Sequence, residues 1–200
     1  FCEKHSQPRS MQGLSEMAAS PSLKAWVELV RRRLEVHPWS LVADIGCGGG
    51  QFAQELARTA NCTVIAIDIT LGESVHPALF VCADACQLPV RSECLNVVFA
   101  SNLLHHIADI GAFFQEAFRV LKPSGRIGIR CMSHKQIGSS LVCRLFPQAV
   151  QAACRSAPDV PEIISVMEYA GFTGVQTEEV LEPHGPLLAD LLKRLKEGTL

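Results

Sequence analysis

Three aspartates and one glycine loop are the residues best placed to do chemistry. Asp44-Ile45-Gly46-Cys47-Gly48-Gly49-Gly50 follows an apolar run, Leu41 to Ile45, and precedes a helical pattern from Phe52 to Ala60. Glycines at such a junction let the backbone turn tightly and approach a ligand closely. The helix that follows offers unpaired N–H groups to that ligand. Asp68 closes a second apolar run, Val64 to Asp68, and Asp84 follows a third, Leu79 to Ala83. A carboxylate at the end of a second strand can accept both hydroxyls of a ribose. One at the end of a third can accept from an adenine amino group, with the Ala85 N–H reaching the ring. The competing use of Asp84 is to brace a turn.

The spacing separates two cofactor classes. Gly48-Gly49-Gly50-Gln51-Phe52-Ala53 satisfies the alanine variant of the dinucleotide fingerprint. Asp44, however, stands two residues before the first glycine. A carboxylate there suits a ligand bearing an ammonium and a sulfonium better than it suits a pyrophosphate. His105 and His106 follow a fourth apolar run, and imidazole titrates near neutral pH. Either can take a proton from a substrate, or order the turn that carries it.

These groups need elements to hold them. Ser22 to His37 reads as an amphipathic helix, with Leu23, Trp26, Val27, Val30 and Leu34 at helical spacing and Ser20 or Ser22 as its cap. Its patch of Arg31, Arg32 and Arg33 reads as a solvated face. Strands are expected over 41–45, 64–68, 79–83, 95–100 and 126–131, with helices over 52–60 and 110–121. Further helices are expected over 139–154, 161–170 and 187–196, and a late strand over 175–181. Strands alternating with helices predict an α/β fold: a doubly wound, mainly parallel sheet in a three-layer α/β/α sandwich. The ligand crevice then lies at the carboxyl ends of the strands.

The 200 residues predict a single domain, with residues 1–37 as an N-terminal helical lid or extension. A formal net charge of −2 shows no basic excess for nucleic acid. Nine cysteines without a C-x-x-C pair read as reduced and buried, and Cys82, Cys86 and Cys94 lack metal-ligand spacing, so no metal site is expected. No apolar run reaches about 20 residues and Phe1 to Ser20 lacks a signal-peptide core, so the expected location is the cytoplasm.

Taken together, the motifs resemble those of the class I S-adenosylmethionine (SAM)-dependent methyltransferases. Within that class they are similar to the ubiquinone/menaquinone-biosynthesis type, methyltransferase type 11. Asp44-x-Gly46-x-Gly48-x-Gly50 corresponds to the first motif, Val64 to Asp68 to the second, and Asp84-Ala85 with Leu88-Pro89 to the third. Ser101 to His106 and Arg119 to Gly125 correspond to the fourth and fifth, and Glu168 to Phe172 to a later Ala-Gly-Phe segment.

The resemblance implies methyl transfer from SAM to a small-molecule acceptor, with S-adenosylhomocysteine as product. Asp44, Gly46, Cys47, Gly48 and Gly50 would hold the methionine portion, Asp68 with Ile69 the ribose, and Asp84 with Ala85 the adenine. Asn102 would lie beneath the methyl group, and His105 and His106 are the catalytic candidates. The chain departs from the family pattern in three ways: a short connection over 69–78, Ser124 in place of a glycine, and a helix rather than a hairpin at the end. Two other functions are weighed. An RNA or tRNA methyltransferase fits the helix-poor stretch after Asp68, and the charge opposes it. A SAM-binding scaffold without catalysis fits the fold, and the three aspartates oppose it.

Overall fold

The computed structural model describes residues 21–70, 78–139 and 147–180. Five strands, β1 (Leu41–Ile45), β2 (Thr63–Asp68), β3 (Leu79–Cys82), β4 (Leu95–Ser101) and β5 (Leu121–Arg130), form one sheet in the order β3-β2-β1-β4-β5. Every pairing is parallel. The chain reverses its direction of travel across the sheet between β1 and β4. That switch point opens a crevice above the carboxyl ends of these two strands.

Period-two alternation sends successive side chains to opposite faces. Ala43, Ile45, Val98 and Ala100 face α3 (Ile110–Val120) and α6 (Val160–Tyr169), where Phe113, Phe114, Ala117 and Met167 complete the core. Val42, Val64, Ala66 and Val97 face α1 (Pro21–Arg33) and α2 (Gln51–Ala60), where Val27, Ala53, Leu56 and Ala60 complete a second core. The sheet is therefore the middle of three layers, as the alternating pattern predicts. Phe113 and Phe114 are fully buried, and removing either ring typically costs about 3–5 kcal/mol.

Several boundaries differ from the sequence expectation. The first helix ends at Arg33 rather than His37, because Glu35 turns the chain at φ 52. The N–H groups of Val36 and Glu35 bond back to the carbonyls of Arg31 and Arg32, a Schellman closure that drives Val36 into the core. The helix expected over 139–154 is instead α4 (His134–Ser139) and α5 (Pro147–Ser156), with 140–146 outside the described residues. A proline opens a helix far more readily than it continues one. β5 begins at Leu121, five residues early, through a register irregularity between the Leu95 and Val97 pairings.

The late strand does not form over 175–180. This stretch is tied by side chains instead: Glu178 pairs with Arg33 at 3.0 Å and Glu179 with Lys135 at 3.5 Å. Leu181 and the final helix over 187–196 lie outside the described residues, as do residues 1–20 of the expected lid. Among the described residues no helix is long and apolar enough to cross a membrane.

Candidate active site

The glycine loop leaves β1 at the switch point. Gly46 and Cys47 donate their N–H groups to the Ile67 carbonyl at 2.8 and 3.1 Å, and Gly50 donates to Cys47 at 2.8 Å. Gly46 has φ 72, and a Cβ there would stand 2.7 Å from Leu103, in the segment after β4. Gly50 has φ 71, and its Cβ would stand 2.0 Å from the Phe80 ring on β3. Both positions thus require glycine for backbone and for space. Gly48 differs: nothing lies within 4 Å of its Cβ position, so the loop is open on that side.

Asp44 sits at the root of this loop and is 3% exposed. Its Oδ2 is fully buried and has no hydrogen-bond partner among the described residues. Burial pushes its pKa up to about 7, against the pull of the Ala53 N–H in the first turn of α2 and with the charge of Asp68 adding to the rise. A buried carboxylate oxygen without a partner costs free energy that a cationic ligand can recover. The residues therefore fit an ammonium-bearing ligand seated on the loop. The same carboxylates, with burial as the larger cause, push the Cys47 thiol up to about 12, so Cys47 lines the loop as an inert neutral group.

Asp68 is held differently. Its Oδ2 accepts from the Gly48 N–H at 2.8 Å, and its Oδ1 from the Thr70 N–H at 3.1 Å and the Thr70 hydroxyl at 3.0 Å. Partial burial works to raise its pKa, but these bonds outweigh it and hold the carboxyl below its usual range. They occupy most of a carboxylate's roughly four acceptor sites. A ribose diol would share Oδ2 with Gly48 or displace Thr70 from Oδ1. Ile69, beside it, is 73% exposed.

Asp84 is exposed and braces a turn: its Oδ1 accepts from the Cys86 N–H at 2.8 Å and its carbonyl from the Gln87 N–H at 3.0 Å. Ala85 is half-buried within that turn. The turn is clasped from below. Arg119 bonds the carbonyls of Leu88 and Val90 and the Ser92 hydroxyl, while Glu116 accepts from the Leu88 N–H at 2.7 Å and from Arg119 at 2.7 Å. The third and fifth motifs, thirty residues apart, are thus one connected structure. Glu116 was not singled out by the sequence; its only signal is the three-residue spacing to Arg119.

Asn102 follows β4 with φ 52, its N–H donating to the Arg130 carbonyl at 2.8 Å. The turn after it, Leu104–His106, is anchored by buried Leu104 and leaves both histidines exposed, their ring centroids 3.9 Å apart. Burial, with a smaller contribution from His106, lowers the pKa of His105.

The structure also shows a cavity of about 210 Å³ between the start of α1 and the ends of β4 and β5. Trp26, Phe52, Phe99, Ser101 and Arg130 line it. Phe99 is the register partner of Asp44, and Phe52 stacks on Phe99 at 4.4 Å, so the cavity adjoins the glycine loop. Sequence reasoning placed Trp26 only on the apolar face of the first helix and did not single out Phe52, Phe99, Ser101 or Arg130, which come from three further elements, as lining a site. Among the described residues no group of three metal-ligating side chains converges.

Residues 43–129 match the family model of the methyltransferase domain. Over that segment the chain is similar to the methyltransferase domain family. A demethylmenaquinone methyltransferase of Corynebacterium urealyticum is 33% identical over 111 residues, covering 53% of this chain and 47% of that protein. The chain thus spans about half the length of that curated relative. A methyltransferase domain of this fold is also seen in a Haemonchus contortus N-methyltransferase in complex with phosphomonomethylethanolamine and S-adenosylhomocysteine. The match has TM-score 0.58 and 18% identity, covering 75% of this chain and 37% of that one. The cyclase SpnF shares the fold too, with TM-score 0.60 and 21% identity over 74% of this chain and 56% of its own. These structural likenesses establish the fold.

Proposed function

We propose that this chain is a SAM-dependent methyltransferase acting on a small-molecule acceptor. The observation that carries the reading is the orphaned Oδ2 of Asp44, buried at the root of an open glycine loop. When bound, SAM supplies a methyl group on a sulfonium, a leaving group so good that positioning is the protein's main task. Asp44 would take the ammonium of its methionyl end, with Gly46, Cys47, Gly48 and Gly50 as the backbone cradle. Asp68, with Ile69 beside it, would take the ribose. Asp84 and Ala85 would take the adenine, on a turn held by Glu116 and Arg119. Asn102, at the end of β4, would floor the methyl.

His105 and His106 are the groups offered to an acceptor that must lose a proton. The lowered pKa of His105 keeps it uncharged, and so able to accept, at neutral pH. The start of α1, and with it residues 1–37, would serve as the lid over the acceptor, within a single domain. The relatives' small-molecule substrates and the absence of a basic stripe favour a small acceptor over RNA, and a cytoplasmic setting suits such an enzyme.

Titration calorimetry with S-adenosylhomocysteine, SAM and NADH tests this. Binding of the first two and not the third is expected. Binding of NADH alone would replace the reading with a dehydrogenase. Tight SAM binding, with no label transfer to any small molecule or RNA, would leave a scaffold, a use of the fold distinct from catalysis.

A further inference from the structure

The turn that carries His105 and His106 is fastened at few points. Leu104 is 3% exposed and packs into the core with Phe113 and Phe114, which holds the base of the turn. The two imidazoles lie against each other, and among the described residues neither makes a hydrogen bond or an ion pair. The backbone path from β4 therefore sets where the rings stand.

Leu103 governs that path. Asn102 takes a left-handed φ of 52, which turns the chain sharply as it leaves β4. Leu103 follows at φ −96 and lies against the root of the glycine loop. Its Cδ1 stands 2.7 Å, and its Cβ and Cγ 3.2 Å, from where a Cβ on Gly46 would be. The leucine side chain thus fills the space that Gly46 leaves empty. Its carbonyl accepts the His106 N–H at 2.8 Å. One residue therefore meets the glycine loop with its side chain and the histidine turn with its backbone.

We infer that Leu103 is a positioning residue, which keys the histidine turn to the glycine loop so that the two move as one body. The inference rests on the methyltransferase reading above and adds to it the part that sets the acceptor side against the cofactor side. Methyl transfer needs nucleophile and methyl in line, and a misplacement of about 1 Å can cost about a hundredfold in rate. A loop and a turn from different strands hold that tolerance when a packed side chain joins them. The loop has ties of its own: Gly46 and Cys47 donate to the Ile67 carbonyl, and Gly48 donates to Asp68. The turn is tied elsewhere by Leu104 in the core and by the Asn102 N–H on β5; its tie to the loop is Leu103. Removing the leucine side chain should thus leave the loop in place and release the turn from it.

The histidine rings report the coupling without a known acceptor. Isotope-labelled histidine side chains are followed by NMR while S-adenosylhomocysteine is added to saturation, with His105→Gln and His106→Gln assigning the two rings. In the parent both resonances are expected to shift. In Leu103→Ala the shifts should fall below about half of the parent's, with the S-adenosylhomocysteine Kd within about fivefold. Leu103→Met, which refills the space beside Gly46, should restore them.

Undiminished shifts in Leu103→Ala overturn the inference, as does a parent whose two histidines do not respond while calorimetry shows the ligand bound. A Leu103→Ala protein that loses more than about fivefold in S-adenosylhomocysteine affinity also overturns it, since the leucine would then serve the loop itself. If Leu103→Ala is unfolded by circular dichroism, Leu103→Val is read against the same outcomes. Failure of the parent to bind S-adenosylhomocysteine at all would instead strike the methyltransferase reading itself.

Discussion

The two halves of the sheet are built on different principles. From β1 to β3 the site consists of backbone positions and carboxylates: glycines at φ 72 and 71, an orphaned Asp44, and Asp68 braced by three hydrogen bonds. Beyond β4 it consists of side-chain surfaces, aromatic rings and one guanidinium drawn from α1, α2, β4 and β5. The first half is fixed by backbone turns that only glycine fills; the second is a volume shaped by side chains, which a wall substitution would change. Under the proposed function, cofactor recognition would lie in the first half and acceptor recognition in the second.

The largest expected effect tests the stiffness of the first half. Gly50→Ala sets a Cβ against Phe80 at a left-handed φ, so S-adenosylhomocysteine affinity should fall by more than about a hundredfold and stability by roughly 2–4 kcal/mol. Adding Phe80→Ala should recover part of both, read as a double-mutant cycle. An unaltered Gly50→Ala protein would show that the loop is not rigid.

A second change should separate the halves. Replacing His105 and His106 by Gln should lower turnover by about a hundredfold on an acceptor that must lose a proton, with cofactor affinity unmoved. Turnover within about threefold of the parent would make the pair a loop-ordering element instead.

Asp44→Asn should weaken S-adenosylhomocysteine binding by about 10–100-fold, the worth of one charge-assisted bond. The parent's affinity should rise with pH toward 7 and then level, because a cation binds the ionised form and Asp44 titrates at about 7. The sign for stability is opposite. The folded state binds this proton more tightly than the unfolded chain, so the contribution is greatest at low pH and is lost as pH rises through about 7. Asp44→Asn should flatten both profiles, read by calorimetry and thermal melts between pH 5 and 8.

The smallest effect concerns the clasp on the turn after Asp84. Glu116→Gln keeps the acceptor for Leu88 but weakens the Arg119 bond. It should cost about 1–2 kcal/mol of stability and raise the S-adenosylhomocysteine Kd a few-fold. Because pairing with Arg119 holds Glu116 below its usual range, the parent's advantage should be present above about pH 4.5 and disappear as pH falls.

How much of this was legible in the chain differs between the halves for the same reason. Asp44, the glycines, Asp68 and Asp84 stand at the ends of recognisable strands, so local pattern alone located them. Period and composition located the five strands and the layers. The helix end at Glu35 was not legible, since a left-handed closure without glycine leaves no mark. Nor was the fate of 175–180, where alternating residues are held by Glu178 and Glu179 to distant cations rather than by a strand partner.

By itself, then, the sequence determined the three-layer α/β frame, the loop that carries Asp44, the aspartate that closes β2 and the one that follows β3, because backbone turns and strand ends are written in neighbouring residues. Only the tertiary structure decided that Asp44 keeps an oxygen without a partner among the described residues, that Phe80 closes on Gly50, that Glu116 and Arg119 clasp the turn after Asp84, and that Trp26, Phe52, Phe99 and Arg130 meet around one cavity. Those facts depend on which residues the crossovers bring together, and a packed interior fixes that globally, not locally.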